Sequence, residues 1–220
     1  MKINRRYLLQ GSALVLFVIA GFGFFGPKNS GINLATPAVA QNLSDLMVPG
    51  PMGDKIMGDE KAPVTIIEYA SMTCPHCAAF HNDVLPGIKE KYIDTGKAKL
   101  IFREFPFDPR AFAAFMLARC ADDQYYFPMI EVLFKQQVQW ARADDPRPPL
   151  LQIAKLAGFT QESFETCLKN QQVLDSVNAV KTKAAEQYGV NGTPTFFING
   201  EKFTGNYTLE ALSGAIDKLL

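Results

Sequence analysis

The chain has 220 residues, no net formal charge and 48% apolar residues, a composition that builds a packed core and excludes wholesale disorder. Charge is uneven: residues 1–40 hold Lys2, Arg5, Arg6 and Lys28 and no acid, leaving 18 basic and 22 acidic residues, net −4, in the remainder. A mildly acidic domain lacks the basic footprint of a nucleic-acid binder, so nucleic acid is not an expected partner.

Residues 1–40 read as an export signal. Lys2, Arg5 and Arg6 form a basic n-region, and Leu8 to Phe25 is apolar apart from Gln10 and Ser12. Thr36-Pro37-Ala38-Val39-Ala40 offers the small-x-small pattern that signal peptidases cut, with Gln41 as the new N-terminus. The positive charges stay on the cytoplasmic side while the apolar stretch enters the membrane. Left uncleaved, that stretch is near the lower length limit of a span and would anchor the protein. Arg5-Arg6-Tyr7-Leu8-Leu9 also resembles a twin-arginine signal. Export of this bacterial-looking kind leads to the periplasm. The four cysteines, Cys74, Cys77, Cys120 and Cys167, all follow the signal, and an even count in an oxidising compartment is expected to pair.

Residues 41–62, rich in Gly, Pro and Met, read as a leading arm to a domain over 63–220. Val64 to Ala70 is a short β-branched run of the kind found in strands buried on both faces. A helix is expected from Cys74, with Phe80, Val84, Ile88 and Tyr92 along one side and a kink at Pro86. Lys99 to Phe105 reads as a second strand, completing a βαβ unit with a parallel pair. The signals from about 110 to 188 are helical: Ala111–Ala118, Tyr126–Trp140, Leu150–Ala157, Gln161–Lys169 with Thr160 as N-cap, and Val173–Tyr188. Strands return at Thr195–Ile198, Asn199-Gly200 is a hairpin turn, and Lys202-Phe203 begins the partner strand. Thr208 caps a last amphipathic helix, Leu209–Leu219. The fold class is therefore α/β: a thioredoxin-like core, βαβ plus ββα, with a helical insertion between its halves.

Cys74-Pro75-His76-Cys77 carries the chemistry. It follows a central strand and opens a helix, where unpaired N–H groups and the positive end of the dipole favour a thiolate. Pro75 suits the first turn, where its missing N–H is not needed, and His76 can add a donor or a positive charge. Cys74, at the exposed start, is the expected attacking sulfur, and Cys77, one turn in, the buried resolving sulfur. A zinc knuckle of Cys74, Cys77 and His81 lacks a fourth ligand, so neither a metal nor a cofactor is expected. Cys120 and Cys167 fall within the insertion. They are either two buried thiols or a structural disulfide, and export favours the bridge.

Glu68-Tyr69-Ala70-Ser71-Met72-Thr73-Cys74-Pro75-His76-Cys77 resembles the active-site segment of the DsbA-like thiol–disulfide oxidoreductases. In that resemblance Glu68 matches the family's buried acid, which relays protons to and from the resolving cysteine. A carboxylate in an apolar central strand is costly to bury without a role. Gly189 to Phe197 is similar to the family's cis-proline loop. That likeness implies a cis Pro194 packed against the cysteines and a Thr193 that offers backbone groups to an extended substrate. The best-known oxidases of the family carry valine where this chain has Thr193, which is closer to the isomerase branch. Isomerases have an additional dimerisation domain that residues 41–62 are too few to form. The resemblance covers about residues 55–220. It implies a monomeric oxidase of unfolded or partly folded exported proteins, recharged by a DsbB-type membrane partner. The alternatives are a disulfide reductase or isomerase, and a soft-metal-binding or chaperone-like protein.

Overall fold

The computed structural model describes residues 43–220, so the signal expected over 1–40 lies outside the described residues. The chain enters through α1 (Leu43–Leu46) and β1 (Lys55–Met57), then β2 (Val64–Ala70). A helical run follows, in four parts: α2 (Pro75–Ala79), a π-helical turn over Phe80–Val84, α3 (Leu85–Ile88) and a second π-helical turn over Lys89–Ile93. Pro86 lies in the first turn of α3, so the wider π turn ahead of it absorbs the missing N–H. β3 (Ala98–Glu104) leads into the insertion: α4 (Pro109–Cys120), α5 (Asp123–Lys135), α6 (Gln137–Ala141), α7 (Arg147–Leu156), α8 (Gln161–Leu168) and α9 (Gln171–Tyr188). The chain closes with β4 (Thr195–Ile198), β5 (Glu201–Lys202) and α10 (Leu209–Asp217).

The strands form one sheet in the order β1-β3-β2-β4-β5. β2 and β3 are parallel, as a βαβ crossover requires, and the other pairings are antiparallel. Period-two alternation splits the central strands between two cores. Val64, Ile66, Leu100, Phe196 and Ile198 pack against Phe80, Ile88, Tyr92 and α10 on one face. Ile67, Tyr69, Ile101 and Phe197 pack against α1 and α9 on the other. A third and larger core binds the insertion to the end of the sheet where Cys77 lies, and Phe115, Tyr126, Phe134 and Trp140 are its largest members.

Local signals in the sequence explain the boundaries. Asn199 and Gly200 both have positive φ, 46° and 89°, the pair of left-handed residues that a two-residue hairpin needs. The Asn199 side chain accepts from the Thr65 N–H at 2.7 Å, and the Asn199 N–H donates to the Thr65 carbonyl at 2.9 Å, which fixes the hairpin to β2. Thr160 and Ser163 cap α8 reciprocally. Gly189, left-handed at φ 60°, ends α9.

Three features depart from the sequence-based expectation. Residues 43–62 are not merely a leading arm, because β1 extends the sheet edge and Leu46 is fully buried. A three-residue strand is too short to display alternation. The hairpin's second strand is Glu201–Lys202, one residue earlier than expected, because the turn is only two residues long. The helix expected over Tyr126–Trp140 starts at Asp123 and breaks at Gln136, between α5 and α6.

Candidate active site

β2 runs through the middle of the sheet and ends at Ala70, and the turn Ser71–Thr73 delivers Cys74 to the start of the helical run. Cys74 has extended backbone, φ −78° and ψ 120°, and occupies the N-cap position of α2 with Pro75 behind it. Its sulfur is half-buried, whereas Cys77, one turn deeper, is fully buried. Both are thiols in this structure.

Position separates the two sulfurs chemically. The Cys77 thiol donates toward Cys74 and is the largest influence holding the Cys74 thiol down at about 5; burial opposes it, and Thr193 and the N–H groups of Cys77 and His76 assist. Cys77 moves in the opposite direction, pushed far up by burial first, then by its hydrogen bond with Cys74 and by the negative charge of Glu68. His76 is exposed, and the group it turns to the sulfur is its backbone N–H rather than its imidazole.

The Thr193–Pro194 bond is cis, and the Thr193 carbonyl accepts from Cys74 Sγ at 3.2 Å. The Thr193 hydroxyl is buried and has no partner while Cys74 is protonated. On ionisation the S–H contact to the carbonyl is lost and this hydroxyl becomes the available donor, which is the sense in which Thr193 lowers the Cys74 pKa. The pKa of Tyr207 is raised by burial first and then by the charge of Cys77 and Cys74.

Glu68 is fully buried and pairs across the sheet with Phe102 and Phe196. His81 Nε2 lies 3.1 and 3.0 Å from its two carboxylate oxygens. His81 stacks on Phe134 with 4.3 Å between ring centres. The zinc alternative is not assembled, because His81 is turned to Glu68. Among the described residues no three His, Cys, Asp or Glu side chains converge as a metal site.

Two supporting residues carried no signal in the sequence. Gln137, at the start of α6, donates from Nε2 to the carbonyls of Met72 at 2.8 Å and Cys74 at 3.0 Å, tying the insertion to the active-site turn. Asp108 accepts from the Thr73 hydroxyl with one carboxylate oxygen and caps α4 with the other. His81 did have a signal: it follows Cys77 by four residues and so shares its helix face. Cys120 and Cys167 lie away from this site and are joined as a disulfide between α4 and α8, with Cα atoms 6.1 Å apart.

Known proteins resemble this chain in sequence and in fold. The family model described as Thioredoxin matches residues 52–218. The crystal structure of Wolbachia pipientis alpha-DsbA1 superposes with a TM-score of 0.73 at 38% identity, over 81% of this chain and 96% of that one. A Rickettsia felis protein, provisionally named a protein-disulfide oxidoreductase, is 37% identical over 168 residues, which are 76% of this chain and 60% of that protein. A Bacillus anthracis protein, provisionally named disulfide bond formation protein D, is 30% identical over 74% of this chain and 77% of its own length. The chain thus spans about 60% of the length of its Rickettsia relative.

Proposed function

The chain belongs to the DsbA-like family of the thioredoxin fold, and on that premise we propose that it is an exported thiol–disulfide oxidoreductase that oxidises cysteine pairs in newly exported proteins. The observation that carries this reading is the contrast between the two sulfurs. Cys74 is accessible and held down at about 5, whereas Cys77 is buried and pushed up. A stabilised Cys74 thiolate favours the reduced pair, which makes the Cys74–Cys77 disulfide a ready oxidant.

The cycle is two exchanges. A substrate thiolate attacks Cys74 Sγ of the disulfide, the S–S bond breaks, and the electron pair leaves on Cys77, which takes a proton relayed by Glu68. A second substrate thiolate then attacks the substrate sulfur of the mixed disulfide. The substrate disulfide forms and Cys74 leaves as a thiolate. Pro75 and His76 shape the exposed rim of the first turn. Thr193 and Pro194 offer the backbone edge on which an extended, partly folded client lies. By family analogy the reduced pair is recharged by a DsbB-type membrane partner.

Periplasmic location and a monomeric state belong to the same proposal. The Cys120–Cys167 disulfide supports an oxidising compartment. Among the described residues no helix is long and apolar enough to cross a membrane. The segment from Leu46 to Met57 packs on its own sheet, which favours a single subunit.

The deciding measurement is the reduction potential of the Cys74–Cys77 pair in glutathione buffers, with each cysteine followed by alkylation and mass mapping. A value near about −120 mV supports the oxidase. Thr193 favours a second reading, a reductase or isomerase working from the reduced state, and a value below about −200 mV would put that first. Cys74→Ser abolishes exchange under either reading; full activity in that variant would sink both.

A further inference from the structure

Each turn of the proposed cycle moves a proton onto or off Cys77, yet Cys77 and Glu68 are both 0% exposed. Glu68 can store that proton but has no exposed surface through which to exchange it with bulk solvent. The structure supplies one further link. His81 Nε2 is within hydrogen-bond distance of both Glu68 oxygens, and His81 also lines an open groove of about 570 Å³ beside α3 and α5, with Leu85, Pro86, Phe127 and Pro128 among its walls.

We propose that His81 is the proton port of the active site, passing protons between the buried Glu68 carboxylate and the water of this groove, whose lining does not include Cys74. The inference rests on the exchange reading above and assigns a residue to a step which that reading leaves open. When Cys77 leaves as a thiolate, it takes a proton from the Glu68 carboxyl. The carboxylate takes one from His81 Nε2, and the imidazole regains one at its other nitrogen from groove water. On reoxidation every proton moves the opposite way, so each group ends as it began. An imidazole can do this because one nitrogen gives while the other receives.

The surroundings suit the task. The ring is held in one orientation by stacking on Phe134 and by edge contacts with Phe80 and Phe102. The charged or titratable groups around it are Glu68 from β2, Cys77 from α2, Lys89 from the second π turn, and Glu131 and Lys135 from α5. The last three line the groove itself and give its largely apolar walls three hydratable charges, whereas Glu68 is fully buried.

The test separates the two chemical steps. Reduced protein is mixed with oxidised glutathione, quenched at intervals and mapped for the Cys74 mixed disulfide and for its collapse to the Cys74–Cys77 disulfide. Only the collapse removes a proton from Cys77. His81→Gln keeps an N–H donor for Glu68 but cannot exchange protons. His81→Ala opens the site to free imidazole from the groove. The mixed disulfide is expected to form at the wild-type rate in both variants, and the collapse is expected to slow ~100-fold, in the range of lost acid–base assistance. Added imidazole should restore the collapse in His81→Ala, and in the wild type the collapse should slow in D2O. Wild-type collapse rates in both variants would overturn the port. So would a slowed collapse that imidazole leaves slow, which would make His81 a support for Glu68 and nothing more. The absence of a D2O effect in the wild type overturns it without any variant. A wild-type protein that never forms the Cys74 mixed disulfide would instead overturn the exchange reading itself.

Discussion

Two cysteines three residues apart, in one turn of helix, behave as different chemical groups because one sits at the surface end of the helix and the other inside it. The sign of the effect on stability follows. Cys74 falls from 9.0 to about 5 on folding, so over that interval the unfolded reduced chain binds the additional proton and stability of the reduced protein rises with pH. The contribution is complete above about pH 9 and disappears as pH falls through about 5. The rate of Cys74 alkylation by iodoacetamide should therefore titrate with a midpoint near 5. Unfolding midpoints of the reduced protein should climb through the same window relative to the oxidised protein. A midpoint near the ordinary thiol value would mean that the Cys77 thiol, Thr193 and the α2 N–H groups do not reach the sulfur. At this scale the sequence was informative about sulfur and silent about its supports. Cys74, Cys77 and Glu68 announce themselves by residue type and spacing. Gln137 does not, because the groups it holds are the carbonyls of Met72 and Cys74, which every residue possesses.

The same difference separates long elements from short ones. β2, β3 and the longer helices of the insertion were legible because seven or more residues carry a pattern, a continuous apolar run in the strands and helix-forming stretches in the insertion. β1 was not, because three residues cannot, and its pairing with β3 is decided by tertiary context. The two π turns were equally hidden, since a widened turn leaves the apolar spacing of Phe80, Val84, Ile88 and Tyr92 nearly intact. The disulfide acts at this scale too. It bridges 47 residues of sequence and joins α4 to α8 within the insertion. On the chain-entropy account, closing a loop of that length contributes about 4 kcal/mol by restricting the unfolded chain. The double variant Cys120→Ala, Cys167→Ala should therefore unfold at clearly lower urea than the wild type, with a loss of that order. An unchanged midpoint would show that the packing of α4 on α8 suffices without the bond.

Over the whole molecule, the sheet and the insertion are tied to the entering chain by two buried cations. Arg103 on β3 makes a two-bond pair with Asp54 at 2.9 and 2.7 Å and donates to the Tyr69 hydroxyl at 2.8 Å. Burial, the leading influence on Tyr69, pushes that phenol up to about 12, so it stays a neutral acceptor. Arg119 on α4 pairs with Glu104 and donates to the carbonyl of Gly53 at 3.0 Å. Asp54→Ala would leave the Arg103 guanidinium buried and short of its counter-charge, which costs about 3–5 kcal/mol. A large fall in the thermal midpoint is expected, with the Cys74 alkylation profile unchanged because the pair is remote from α2. A fall below about 1 kcal/mol, the worth of an exposed pair, would mean that water reaches this site. The overall plan of the molecule was visible in the order of its elements, and this stitching was not, because Gly53 and Asp54 fall in the stretch that reads as a leading arm. The stitching also has a mechanical side. Between Leu46 and β1 the chain has no leash: a pull applied at residue 43 meets a buried leucine and then two guanidinium cross-links before it reaches the sheet. A force carried along this segment therefore reaches β3 through Asp54 and α4 through Gly53, instead of drawing slack from a loop.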